Sequence, residues 1–175
     1  MAGGAWENDH DGHQVPVSAE AEQIRQEAHS KRLMLLPFTD GLIESYRADP
    51  ELAVLADRHY SRQKVGSLQF VPPSRCLVLR DAQAAILFVW IWPKIERMDK
   101  QVGYNCTLFR NESERLSSEI ILEAEDMAFA KWGANRMYTY VDPRKIKSSN
   151  PGYCFLKAGW RKAGVSKKGK IILEK

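Results

Sequence analysis

The sequence predicts an α/β fold, a single domain built on a mixed central sheet flanked by helices. Three observations carry that expectation. Short apolar runs suited to strands alternate with amphipathic stretches suited to helices, which demands a sheet with helices on its faces. A length of 175 residues fits one domain. A hydrophobic content of 44%, with five Trp and six Phe, supplies a core of ordinary size.

Residues 1–32 carry small and charged side chains with little periodic hydrophobicity, so they read as a flexible arm that becomes helical near Ser18 to His29. The folded domain is expected over 33–175. Leu33 to Phe38 suits a first strand, and helices are expected at Asp40 to Tyr46 and at Pro50 to Asp57, where Pro50 suits a first turn. His59-Tyr60-Ser61-Arg62 follows at a helix end. Cys76 to Arg80 and Ala84 to Trp92 form a hairpin across Asp81-Ala82-Gln83. Val102 to Phe109 is a further strand. Ser117 to Trp132 is the clearest helix, opening on a Ser pair suited to capping and ending at Gly133. Arg136 to Val141 is a strand stopped by Pro143. Tyr153 to Ala158 is a short helix closed by Gly159, and Lys170 to Leu173 is the last strand.

Composition narrows the function classes. No apolar run is long enough to cross a bilayer and the first residues resemble no signal peptide, so a protein of the cytoplasm with no membrane partner is expected. Three cysteines without C-x-x-C spacing argue against a disulfide framework or a thiolate zinc site. The net charge is only +4, but it is unevenly spread. Met1 to Ser30 holds six acidic residues and one Arg, whereas Pro143 to Leu173 holds nine Lys/Arg and no Asp or Glu. Lys and Arg interleaved with Tyr153, Phe155 and Trp160 are the footprint of a polyanion contact, either nucleic acid or an anionic cofactor such as coenzyme A. Arg62, Lys64, Arg144, Lys145 and Lys147 are the expected phosphate-backbone contacts.

Three constellations could carry chemistry. His59-Tyr60-Ser61 offers an imidazole that exchanges protons near neutrality beside a phenol, although a lone His is also a common structural residue. Arg110-Asn111-Glu112 ends a strand, and Ser117-Ser118 opens the following helix. A ligand anion fits there, because helix N-termini present free N–H groups at the carboxyl ends of strands. In the bland alternative Ser117 caps the helix and Arg110 pairs with Glu112. Tyr138, Tyr140 and Asp142 share one strand face, with Tyr153 opening the next helix. They could stack a base and exchange a proton, or the tyrosines could be core.

His59-Tyr60-Ser61-Arg62, Gln69-Phe70, Ala85 to Trp90, Phe109-Arg110-Asn111-Glu112, Ser117-Ser118-Glu119, Tyr138 to Pro143, Ser149 to Phe155 and Ala158-Gly159-Trp160 occur in an order that resembles the Mom-like proteins of phages and prophages. The resemblance runs from about Leu33 to Leu173. It implies a GNAT-like (acetyltransferase-like) catalytic domain over 33–175, in which a strand splays from its neighbour and an acyl-CoA lies in the gap. The implied activity converts adenine in double-stranded DNA to N6-carbamoylmethyladenine, protecting phage DNA from host restriction in the host cytoplasm. Acetyl-CoA or another acyl donor is the implied cofactor, with a metal ion as a further candidate; duplex DNA is the partner, and a homodimer would suit it. His59, Tyr60 and Asp142 take the catalytic positions, with Asp142 or His59 assisting N6 deprotonation. Arg110, Asn111, Ser117, Ser118 and Tyr153 take the cofactor positions. No glycine lies between Asn105 and Met127, which departs from the Q/R-x-x-G-x-G/A pyrophosphate loop of acyltransferases. The competing expectations are a GNAT-type acetyltransferase of a small amine or a protein, and a non-catalytic DNA-binding phage protein.

Overall fold

Strand β5, Ile86–Trp92, is apolar at every position, a pattern that requires cover on both faces. In the computed structural model it is central, and Ile86 through Ile91 are buried. The structure describes residues 6–8, 14–16, 41–93 and 99–175. Residues 40–175 form one unit and residues 1–39 another. Within the latter, β1 (Trp6–Asn8) pairs antiparallel with β2 (Gln14–Pro16). The helix expected near Ser18 to His29 and the strand expected over Leu33 to Phe38 lie outside the described residues.

In the larger unit the strands β3 (Ile43–Ser45), β4 (Arg75–Arg80), β5, β6 (Tyr104–Asn111), β7 (Met137–Val141), β9 (Ile171–Glu174) and β8 (Arg161–Val165) form one sheet in that spatial order. Only β6 and β7 run parallel; their neighbours pair antiparallel. Helix α1 (Pro50–Asp57) covers one face, packing Leu52, Ala53, Leu55 and Ala56 on Val78, Leu87, Val89, Ile91 and Leu108. Helices α2 (Ser117–Trp132) and α3 (Tyr153–Lys157) cover the other, with Ile120, Ile121, Ala124, Ala128 and Phe155 against Leu77, Leu79, Phe88, Trp90 and Met137. Full burial of Leu52 and Leu55 stabilises by about 1.5–3 kcal/mol each. Trp90 Nε1 donates to the Ala124 carbonyl at 2.8 Å, fixing α2 over β5. A buried carboxylate, Glu125, is satisfied by Trp160 Nε1 at 2.5 Å and Lys175 Nζ at 2.6 Å.

Asp40 to Tyr46 is not the expected helix but contains edge strand β3, with Ile43 opposite Arg80 and Ser45 opposite Val78. Seven residues opening on Asp-Gly cannot hold a helix alone, and the open edge of β4 offers a full ladder instead. Ser45 Oγ donates to Asp49, which caps α1 through Glu51 N and Leu52 N and also binds Arg80 at 2.9 Å. The Ser pair does not cap α2 as expected. Leu116 is the cap residue and contributes no side-chain hydrogen bond, while Ser117 Oγ accepts from Asn111 Nδ2 at 3.1 Å. Strand β8 was not foreseen, because Arg-Lys-Ala-Gly-Val has no apolar alternation and every residue in it is exposed.

Candidate active site

Side chains alternate across an unbroken strand, and β6 breaks that rule at one residue. Val89 opposes Leu108, but Trp90 opposes Cys106, leaving Thr107 as the extra residue of a β-bulge. Parity reverses there: Tyr104 and Cys106 pack on the α2–α3 side, Leu108 turns to the α1 side, and Phe109 returns to α2–α3. At the same point β6 leaves β7. The parallel ladder ends at Cys106 opposite Thr139, although β6 continues to Asn111 and β7 to Val141. Thr139 Oγ1 donates to the Cys106 carbonyl at 2.8 Å and pins the last closed rung.

Two cavities occupy the opening. The first, about 280 Å³, is lined on the α2–α3 side by Phe109, Thr139, Val141, Ile146, Tyr153, Cys154 and Phe155, with His59 and Tyr60 at its edge. The second, about 700 Å³, lies on the α1 side against Phe70, Val71, Ile91 and Asn105, with Arg62, Lys64 and Lys170 among its lining and no Asp or Glu among the described residues there. Tyr60, Cys106, Thr107, Leu108 and Tyr140 line both. Gly152, left-handed at φ +82°, carries the chain under the first cavity into α3; a Cβ there would lie 2.7 Å from Leu173 Cδ1.

His59 and Tyr60 come from the turn that ends α1, where His59 N bonds the Ala56 carbonyl. Their rings lie 4.4 Å apart. His59 Nδ1 and Ser61 Oγ share a 2.7 Å hydrogen bond, leaving Nε2 without a partner among the described residues. Burial, assisted by the charge of Arg110, pushes the imidazole down to about 4, so His59 is neutral at pH 7. Burial raises the Tyr60 phenol, opposed by a hydrogen bond from the Asp142 backbone. Tyr60 therefore keeps its proton at the junction of the two cavities.

Asp142 is placed differently from the expectation that it accepts a proton. It is buried, caps the turn Pro143–Lys145, and receives Arg144 Nε and a second guanidinium nitrogen at 2.9 Å each. Arg144 holds the carboxyl down to about 2, so Asp142 is a fixed anion that positions the end of β7. Arg144 is thereby committed as well. Arg62, expected on DNA, instead clamps its own loop: it pairs with Asp57 at 2.7 Å and donates to the Gln69 and Ser67 carbonyls. Arg110 reaches Glu112 at 2.6 Å and the Arg58 carbonyl at 2.7 Å, on the α1 side. Asn111 binds Arg115, Ser113 and Ser117 to shape the turn into α2. Lys64, Lys145 and Lys147 are exposed and form no ion pair with another described residue.

The constellation is thus His59, Tyr60, Tyr140 and Tyr153 around the opening, with Asp142 supporting it and Arg110 and Asn111 bracing neighbouring turns. Asn105, Thr107, Cys154 and Lys170 line the cavities and were not singled out. A bulge is a property of strand pairing and leaves no mark in the one-dimensional pattern. Among the described residues no group of three His, Cys, Asp or Glu could hold a metal ion, so a metal cofactor gains no support. No described helix is long and apolar enough to cross a membrane.

The structure is similar to the crystal structure of aminoglycoside acetyltransferase AAC(6')-Ib in complex with coenzyme A, at a TM-score of 0.51 and 13% identity, covering 77% of this chain and 93% of that one. The fold is accordingly that of the GNAT acetyltransferases. A chimera of the spermidine N-acetyltransferase SpeG from Vibrio cholerae and hSSAT is similar at a TM-score of 0.45 and 14% identity, over 76% of this chain and 91% of that one. No protein-family model matches the sequence, and no curated protein matches it.

Proposed function

We propose that this chain is an acyl-CoA-dependent N-acyltransferase, with its donor on the α2–α3 side of the sheet and its acceptor on the α1 side. The observation that carries this reading is the opening of β6 from β7, where cavities on opposite faces meet at Tyr60, Thr107 and Tyr140. The first cavity fits an acyl thioester arm. Beyond Cys106 and Thr139 the facing edges of β6 and β7 have no ladder partner, so they can bond an extended amide-bearing ligand as an added strand would. The uncapped start of α2, with Ser117 and Ser118 in its first turn, suits the phosphates, and Glu112 nearby is neutralised by Arg58 and Arg110. Tyr153 and Cys154 close the lower wall.

When bound, the donor supplies an activated acyl carbon with a thiolate as leaving group. Tyr60 holds a proton at its hydroxyl where the two cavities meet and is assigned as the donor to that sulfur. His59, neutral and with Nε2 open, is assigned as the acceptor of the proton lost by the amine. Asp142 orients Tyr60 through its backbone N–H. The assay is thiol release from acetyl-CoA by the full chain, with and without an amine panel that includes aminoglycosides, nucleosides and duplex DNA. Acceptor-dependent release supports the reading, and none with any acceptor refutes it.

A second reading makes the acceptor N6 of adenine in duplex DNA, as the Mom-like motifs imply. The favouring observation is the α1-side cavity, whose lining carries Lys64 and Lys170 without an ion pair to another described residue, Arg62 being neutralised by Asp57; that suits a phosphate-bearing acceptor better than a polycationic one. Carbamoylmethylation also asks for more than acyl transfer, since an acyl group leaves an amide on N6 and the product has a methylene there. Mass spectrometry of nucleosides from plasmid DNA of expressing cells decides: a heavier adenosine supports this reading, and unmodified adenine from well-expressed protein removes it.

A further inference from the structure

The two cavities share a junction, and an amine of this chain stands on its α1 side. Of the described lysines, Lys64 and Lys170 line a cavity. Lys64 is exposed in the loop after α1, whereas Lys170 is half-buried where the chain enters β9. The ladder says where its side chain lies. Tyr140 opposes Ile172 and Val141 opposes Ile171, so the next position sets Lys170 across from Asp142. Ile171 and Leu173 pack on the α2–α3 side, and alternation turns Lys170 to the α1 side with Tyr140. The charges agree: after Arg144, Lys170 is among the cations that hold the Asp142 carboxyl down. The Asp142 backbone N–H in turn binds the Tyr60 hydroxyl. Facing residues of an antiparallel pair stand about 5 Å apart at Cα, a span that the flexible lysine stem covers. The Lys170 ammonium forms no ion pair with another described residue, and Asp142 is already held by Arg144.

We propose that Lys170 is an acylation site of this protein, its side-chain amine taking the acyl group from a thioester bound in the same chain's donor cavity. The proposal rests on the acyltransferase reading. Once deprotonated, Lys170 Nζ attacks the thioester carbonyl carbon; a C–N bond forms and the C–S bond breaks. The amine's proton passes to His59 Nε2, and the departing sulfur takes the proton of Tyr60. His59 gains the one proton that Tyr60 loses, so exchange with solvent restores both. One acyl thioester and one amine thus give one amide and one free thiol. Tethering replaces an encounter from solution, which favours Lys170 over lysines elsewhere on the surface. The product amide is neutral, so acylation removes one of the two lysine charges that line the α1-side cavity.

The test incubates the full chain with acetyl-CoA and no acceptor, beside Lys170→Arg and Tyr60→Phe, and follows the lysine peptides by mass spectrometry. Lys170 should gain one acetyl group at least about ten-fold faster than Lys64 or Lys168, with a rate constant independent of protein concentration. Tyr60→Phe should slow labelling of Lys170 by about 100-fold and leave Lys168 unchanged. Lys170→Arg should abolish thiol release in the absence of acceptor, with thermal unfolding unchanged. Equal labelling of the three lysines, a rate constant that rises with protein concentration, or Lys170 labelled in Tyr60→Phe as fast as in the parent would each overturn the proposal. An unmodified Lys170 beside acceptor-dependent thiol release overturns the proposal alone and makes that lysine an anion contact. Neither acylation nor thiol release with any acceptor of the panel overturns the acyltransferase reading along with it.

Discussion

Tyr60 and Asp142 lie at one end of the sheet and differ in what their surroundings leave them free to do. Tyr60 is 38% exposed, borders both cavities and holds its proton, whereas both oxygens of Asp142 are bound by Arg144. Tyr60→Phe should lower kcat by about 100-fold with little change in acceptor KM, measured by steady-state thiol release. Asp142→Asn should instead loosen the end of β7 and weaken binding and turnover together. His59 makes a pH-dependent contribution whose sign is fixed. Its folded pKa of about 4 lies below the ordinary imidazole value of 6.5, so the unfolded chain binds the extra proton between those limits. The contribution is complete above about 6.5 and falls away as pH drops toward about 4. His59→Gln should flatten that part of the stability profile, as read by urea unfolding at several pH values.

At the scale of elements, the opening depends on how β6, β7 and α3 are joined. Gly152 caps α3 in the left-handed region and sits against Leu173 and Val141. Gly152→Ala should cost about 1–3 kcal/mol in urea unfolding and shrink the first cavity. Trp90→Ala should cost about 3–5 kcal/mol, since Trp90 is fully buried and carries the link to Ala124. These elements also show what could be read from the chain in advance. The unbroken run of β5, the periodic apolar face of α2 and the Pro, Gly and Asp residues around β7 and α3 each carry a local cause, and each was placed correctly. β3 and β8 were not, because their pairing is decided by free edges of β4 and β9 rather than by their own side chains. The site divides the same way. His59, Tyr60 and Tyr153 could be picked by type and position, but the roles of Arg62 and Arg110 are set by Asp57, Glu112 and Arg58, which only the folded chain brings near. Thr107 and Lys170 matter because of register, which no local pattern encodes.

On the scale of the whole molecule, charge and fold bear on different halves of the proposed activity. The opened parallel pair at the centre of the sheet defines where a donor can lie. Cations at the α1-side cavity and along 143–173 favour the proposed phosphate-bearing acceptor, although Arg62, Arg144 and Arg161 are paired with Asp57, Asp142 and Glu174 and leave the charge to the lysines. If the acceptor is duplex DNA, its affinity should fall steeply with salt, and Lys145→Glu combined with Lys147→Glu should reduce the slope of log affinity against log salt by about 2. A salt-independent affinity would assign those lysines to ordinary solvation. The proposed acyl transfer requires a donor in the opening between β6 and β7. Isothermal titration of the full chain with acetyl-CoA tests that most directly, beside Cys154→Trp, which fills the first cavity while keeping the second. Saturable one-to-one binding that the substitution abolishes, with thermal unfolding unchanged, is the predicted result; no binding by the parent chain, or equal binding by the filled variant, would contradict it.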